Sequence, residues 1–265
     1  MSQSYILGIE TSTNAGGVAI AGEKGVLVSL YANLEQSHSR QTVSLVKQAA
    51  EILGIAPNEF GAVGVSVGPG SFTGVRVGMS VAKGLCLAGS IPLIGISTLE
   101  ALGWRAVAPE GGLICPILDA RRGEVFAALF QRSPDPEADL ERLHQDWCGT
   151  LGEWLSRLEK LTSRADGGSP ILFTGDAADR FREPIEERLG ARARFAGPLH
   201  AHPSPDAVAL LAWKRWRADP HCGDGWETLQ PEYTRWHDAR PPKRNAVQTG
   251  ESRSRLPGET LVYDG

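Results

Sequence analysis

The sequence has little cysteine, few aromatics, no strong charge of either sign and no long apolar run, and each shortage closes off a class of protein. Its four cysteines, Cys86, Cys115, Cys148 and Cys222, are scattered without a CxxC pair. That argues against a zinc site and against the disulfide framework of a small secreted domain, and a reducing cytoplasm fits best. A formal net charge of -4 over 265 residues supplies no field that would draw nucleic acid unaided, so any link to RNA is expected to run through a partner. No run of about eighteen apolar residues occurs, and the opening MSQSYILGIE lacks a basic n-region and a long apolar h-region. The expectation is a cytoplasmic protein that neither spans nor crosses a membrane. At 42% hydrophobic residues the chain can fill the core of one large domain or two lobes.

What is present reads as a strand meander followed by helices. YILGIE (5–10), VAIAG (18–22) and VLVSLYANL (26–34) are strand-like runs separated by turn residues. The segment 41–53 carries apolar residues at Val43, Val46, Ala50 and Leu53 and again at Leu45, Ala49 and Ile52, with Gly54 as its stop. AVGVSV (62–67) suits a fully buried strand, and from Gly74 or Val75 to Ala88 the chain is again helical and apolar nearly all round, with Val77, Val81 and Leu85 on one face and Val75, Met79, Ala82 and Cys86 on another. A helix needs one apolar stripe to dock on a sheet, so the second stripe on each predicts another buried neighbour. The order βββαβα defines an α/β lobe, here residues 1–104. A second lobe is expected over 105–203, with strands at 113–120, 121–131 and 169–177 and a helix in GTLGEWLSRLEKL, while SPDPEADLERLHQD (133–146) reads as a surface loop. Ser204 as N-cap, Pro205 and Asp206 open a helix over 204–218, expected to pack back on the first lobe. A C-terminal segment (219–237) and a polar, aperiodic tail (238–265), read as disordered, complete the chain.

Between strand and helix lies SVGPGSFTGVRVG (66–78), whose glycines admit two readings. A strand, glycines and a helix start form the layout of an anion site, which would use Gly68, Gly70, Ser71, Thr73 and Gly74. The spacing GxGxxxG is one residue longer than the dinucleotide fingerprint, however, and no lysine follows as a P-loop requires. The other reading is packing: glycine inside a helix costs about 1 kcal/mol relative to alanine, which close backbone approach would offset. His200 and His202 form an HxH that lacks a third metal ligand. Asp119, Arg121 and Glu124 of DARRGEV fit a turn with salt bridges better than an acid–base set.

GPGSFTGVRVGMSVAKGLCLAGSIPLIGISTLEAL, together with ILGIETS, HSRQTVSLVKQAAEILG, PILDARRGEVFAALF, FTGDAADRF and LQPEYTR, resembles the TsaB family of tRNA threonylcarbamoyladenosine biosynthesis proteins, in family order up to about Arg235. The resemblance implies the actin-like ATPase fold, ribonuclease H-like, with two lobes each built on a βββαβα core. It also implies a non-catalytic subunit that supports its paralogue TsaD, with the ATPase TsaE, in transferring threonylcarbamoyl from threonylcarbamoyl-adenylate to the adenosine beside the anticodon of tRNAs reading codons that begin with A.

Family members pair through the helix after the third strand and the glycine-rich helix, with TsaD or with themselves as a homodimer. That carries a partner-binding role to Val46, Ala50, Leu53, Val77, Val81 and Leu85, and to Arg76, which heads its helix where a cation gains nothing from the dipole. Where TsaD has a metal-binding HxxxH, this sequence has Ser97, Thr98, Ala101 and Leu102. No catalytic residue, metal or cofactor of its own is therefore expected; ATP, ADP and metal belong to TsaD and TsaE, and tRNA is reached through the complex. Glu10 stands where actin-like folds carry an aspartate near the nucleotide phosphates, or else caps its strand and bonds the TST turn. The alternative function is a stand-alone actin-fold ATPase or a glycopeptidase-like enzyme.

Overall fold

A computed structural model describes residues 5–33, 38–109, 111–133, 135, 140–162, 168–223 and 225–232, with the side chains of 38–40 excepted. The disordered-tail reading from 238 onward falls outside them. The first sheet opens with β1 (Tyr5–Glu10), β2 (Ala15–Gly22) and β3 (Gly25–Asn33), then takes β4 (Phe60–Gly68) and β5 (Leu93–Ser97) in the order β3-β2-β1-β4-β5. The meander pairs antiparallel, Ile9 opposite Val18, and β1 pairs parallel with β4, Ile9 opposite Val65. β2 begins at Ala15 rather than Val18, because the small residues after the turn fit a strand buried along its whole length. β5, which the sequence reading passed over, closes the parallel edge.

Helices α1 (His38–Leu53) and α2 (Phe72–Gly89) cover one face of this sheet. α2 starts two residues before the earliest start read from the sequence. Ser71 is its N-cap, extended in φ and ψ, and its hydroxyl accepts from Gly74 N at 3.2 Å, so Phe72, Thr73 and Gly74 belong to the helix and not to a loop. The inward stripe is Val75, Met79, Ala82 and Cys86. α3 (Thr98–Trp104) leads to the second sheet.

The second sheet repeats the first: β6 (Leu113–Asp119), β7 (Glu124–Gln131) and β8 (Glu141–Thr150) form a meander, α4 (Leu151–Thr162) follows, and β9 (Ile171–Thr174), α5 (Asp176–Arg180), α6 (Arg182–Leu189) and β10 (Ala193–Phe195) complete the order β10-β9-β6-β7-β8. β8 corrects the surface loop expected over 133–146 for residues 141–146, while 134 and 136–139 lie outside the described residues. It is an edge strand whose half-buried positions include Arg142, His144 and Asp146 while Leu143 is exposed, so its polarity runs opposite to the alternation that marks a strand. Arg142 rests over the Phe130 ring at 4.6 Å and ion-pairs with Asp146. β10 escaped notice for its shortness.

α7 (Pro205–Ala218) starts as its sequence signals require, with Ser204 accepting from Ala207 N at 3.5 Å. Its Ala207, Val208, Leu211 and Ala212 join Ile6, Ala62, Ile94 and Ile96 in one buried cluster on the other face of the first sheet. Trp213 and Trp216 pack against that cluster with ring centroids 5.7 Å apart. Past α7 the chain returns to the first sheet, where Leu229 is buried and Glu232 N donates to Val67 O at 2.8 Å.

Candidate functional site

At the carboxyl end of β1 a buried polar knot ties the first turn to α2. Glu10 is fully buried, and its carboxylate accepts from Ser12 N and Ser12 Oγ, both at 2.5 Å, and from Ser66 Oγ on β4. Burial raises the Glu10 pKa above the ordinary carboxylate range, against the lowering effect of these bonds. Thr11 and Ser12, held from below, meet α2 from above: Ser71 N donates to Ser12 O at 2.6 Å and Thr11 Oγ1 donates to Gly74 O at 2.8 Å. A Cβ at Gly74 would fall 2.1 Å from Thr11 O, and one at Gly78 would fall 2.3 Å from Thr11 Oγ1. Gly74 and Gly78 of α2 thus make room for the chain's own turn. Two of the N–H groups at this helix start are spent within the chain, that of Ser71 on Ser12 O and that of Gly74 on the Ser71 side chain. Gly68 ends β4 at φ 115 in a cis peptide with Pro69, and Thr73 is exposed.

The outward faces of α1 and α2 differ from the sequence expectation in detail. Val46 is 8% exposed and belongs to the chain's own core; Ala50, Leu53, Val81 and Leu85 are half-buried against that core, and Val77 is also half-buried. The apolar side chains most open to solvent on these helices are Val43 (57%), Ile52 (63%), Phe72 (56%) and Leu87 (57%). Between them run exposed small residues, Ser80, Gly84 and Ala88, and no atom lies within 4 Å of a Cβ placed at Gly84. Arg76 lies over the Phe72 ring, 3.7 Å from its centroid, a cation–π pair that the i, i+4 spacing of Phe72 and Arg76 could have announced.

The corresponding end of the second sheet is built differently. Asp119, last residue of β6, accepts from Arg121 N at 2.9 Å and pairs with the Arg180 guanidinium at 2.5 Å, while its own N–H donates to Asp176 Oδ1 at 2.9 Å. Burial raises the Asp176 pKa. Burial first, then the field of Arg105, holds His200 below the usual imidazole range. Among the described residues no group of three or more His, Cys, Asp or Glu side chains gathers as metal ligands. At the HxxxH position, Ser97 caps α3 and donates to Asp146 at 2.7 Å, and Thr98, Ala101 and Leu102 are fully buried; these residues do not fit a metal ion. Burial pushes the Cys86 and Cys115 thiols up to about 12, so neither is an activated nucleophile. No helix among the described residues is long and apolar enough to cross a membrane.

Two copies of one βββαβα plan, a first turn sealed by packing and an apolar helix pair facing outward define a two-lobed protein of the actin-like ATPase architecture. The family model for TsaD, tRNA N6-adenosine threonylcarbamoyltransferase, matches residues 32–243. A Bacillus subtilis (strain 168) tRNA threonylcarbamoyladenosine biosynthesis protein TsaB is 32% identical over 234 residues, covering 88% of this chain and 95% of its own. The Escherichia coli (strain K12) TsaB is 32% identical over 79% of this chain and 97% of its own. Among solved structures, a Pseudomonas aeruginosa protein described as similar to peptidase YeaZ superposes with a TM-score of 0.72 at 24% identity, covering 88% of this chain and all of its own. The chain belongs to the TsaB family of tRNA threonylcarbamoyladenosine biosynthesis proteins.

Proposed function

We propose that this chain is a non-catalytic docking subunit of the bacterial complex that forms threonylcarbamoyladenosine in tRNA, offering the outer face of α1 and α2 to TsaD and, in its absence, to a second copy of itself. TsaD, with TsaE, performs the transfer from threonylcarbamoyl-adenylate; ATP, ADP and metal reside with those two proteins, and tRNA is bound by the assembly. The observation that carries the proposal is the pair of adjacent helices whose outer side chains Val43, Ile52, Phe72 and Leu87 are each more than half exposed, beside the open surface at Gly84. Large apolar side chains left open on two adjacent helices suit an interface, and small residues let a partner helix approach. The lack of imidazoles at Ser97, Thr98, Ala101 and Leu102, where TsaD has metal ligands, and the packed glycine turn both support a role other than chemistry.

The test is threonylcarbamoylation of a suitable tRNA by TsaD and TsaE, supplied with threonylcarbamoyl-adenylate and ATP, with and without this chain. Modification only in its presence is expected. Full activity without it, or ATP hydrolysis by this chain alone at a rate matching tRNA turnover, would bring the stand-alone enzyme reading forward.

A further inference from the structure

We infer that the first turn of α3 holds an ion clamp, centred on Glu100, that fixes the angle between the two sheets and keeps the lobes from hinging. α3 belongs to both cores. Its Leu99 and Leu102 lie in one buried cluster with Ile114 and Phe130 of the second sheet, whereas Ala101 lies in the cluster of Ile6 and Ile94 of the first. Trp104, at its end, packs against both clusters. Apolar packing of this kind is non-directional, so a helix gripped from two sides can serve as an axle. Relative motion of two lobes is then the ordinary expectation.

The polar groups at the start of that helix remove this freedom. Glu100 turns one carboxylate oxygen to each side: Oε1 accepts from Arg215 Nη2 of α7 at 2.6 Å, and Oε2 stands 4.0 Å from Arg142 Nη2 of β8. Arg215 also donates from Nη1 to Gly95 O of β5 at 2.8 Å, so one guanidinium grips both the first sheet and the carboxylate. Arg142 in turn pairs with Asp146, whose Oδ2 accepts from the Oγ of Ser97, the N-cap of α3, at 2.7 Å. The chain Arg215–Glu100–Arg142–Asp146–Ser97 therefore starts on the first sheet, crosses to β8 and returns to α3. Its two cations and two anions balance, and none of the four side chains is more than 33% exposed. Desolvation offsets much of the attraction in pairs so shielded, so their net contribution to stability is small. What guanidinium forks add is fixed geometry. At the other end of the helix, Arg132 Nη2 donates to Trp104 O at 3.1 Å and Ala106 O at 2.6 Å, which ties α3 to the second lobe at both ends. The outer faces of α1 and α2 take no part in the clamp, so it stands apart from the docking proposed above.

The experiment measures the distance between the lobes by pulsed electron paramagnetic resonance on the full-length chain. Spin labels are placed through Glu23→Cys in the β2–β3 turn and Lys160→Cys on α4, both exposed positions, with the half-buried thiols removed by Cys148→Ser and Cys222→Ser. Dilution with unlabelled chain suppresses distances between copies. With the clamp intact, one narrow distribution is expected. Glu100→Gln keeps the shape but loses the charge, and should broaden the distribution roughly twofold or more as the hinge is released. Arg142→Lys keeps the charge but loses the fork, and should broaden it to a lesser degree. Arg188→Gln, which breaks a 2.8 Å pair with Glu159 inside the second lobe, should leave it narrow. Far-UV circular dichroism establishes that each variant is folded; were Glu100→Gln unfolded, Arg142→Lys decides. A broad or two-peaked distribution with the clamp intact would overturn the inference, as would an unchanged width in the deciding variant or equal broadening in Arg188→Gln.

Discussion

The carboxyl ends of β1 and β6 occupy the same place in a repeated plan, yet one is sealed and the other open. Each ends in a carboxylate that accepts from the backbone N–H two residues on, Glu10 from Ser12 and Asp119 from Arg121. In the first lobe two serine hydroxyls and the glycines of α2 close over the carboxylate, and no charge reaches solvent. In the second lobe the partner of Asp119 is Arg180, itself half exposed, and the following turn presents two more arginines. One fold has thus given its first strand end to supporting α2, and left its second strand end to charge.

The sharpest way to break this contrast is Gly74→Ala. Its Cβ would sit 2.1 Å from Thr11 O, and the resulting overpacking should cost about 3 kcal/mol in urea unfolding, outweighing the roughly 1 kcal/mol of helix propensity that alanine gains. Glu10→Ala comes next. Leaving the hydroxyls of Ser12 and Ser66 without their buried acceptor should cost about 2 kcal/mol, whereas Glu10→Gln keeps most of the knot and isolates the charge. A carboxyl whose folded pKa is raised binds its proton more tightly in the native than in the unfolded state, so its contribution to stability falls as pH rises above the unfolded value of about 4.3. The wild-type melting temperature should therefore drop relative to Glu10→Gln as pH rises above about 4.3, and parallel profiles would contradict the buried-acid account.

Gly84→Ala, on the outward side of the same helix, should stabilise the isolated chain by about 1 kcal/mol through propensity alone, the opposite sign from Gly74→Ala. Smallest of all is Arg180→Ala, which breaks an ion pair whose arginine is 53% exposed and should change stability by less than about 1 kcal/mol.

Much of this was legible in the sequence. The meander, the buried β4, the two doubly apolar helices and the Ser204–Pro205 start of α7 follow from local patterns, because each has a period or a cap that a few neighbouring residues determine. β8 was not legible: its half-buried positions are polar and neutralised by partners such as Glu100, about forty residues earlier. Sequence periodicity found two apolar stripes on α1 and α2 but could not say which one the sheet takes. Val46 went inside, while Val43 and Ile52 stayed out. The pairing of Asp119 with Asp176 and Arg180, and of Glu10 with Ser66, depends on which strands lie side by side, which no local spacing encodes.

The most direct measurement is the equilibrium affinity of TsaD for wild type and for an Ile52→Arg/Leu87→Arg variant shown to be folded by circular dichroism. A charge placed in a desolvated helix contact should weaken binding by 10-fold or more, a cost of at least about 1.4 kcal/mol, and should abolish self-association with it. Wild-type affinity in the variant would contradict the claim that this face docks the partner.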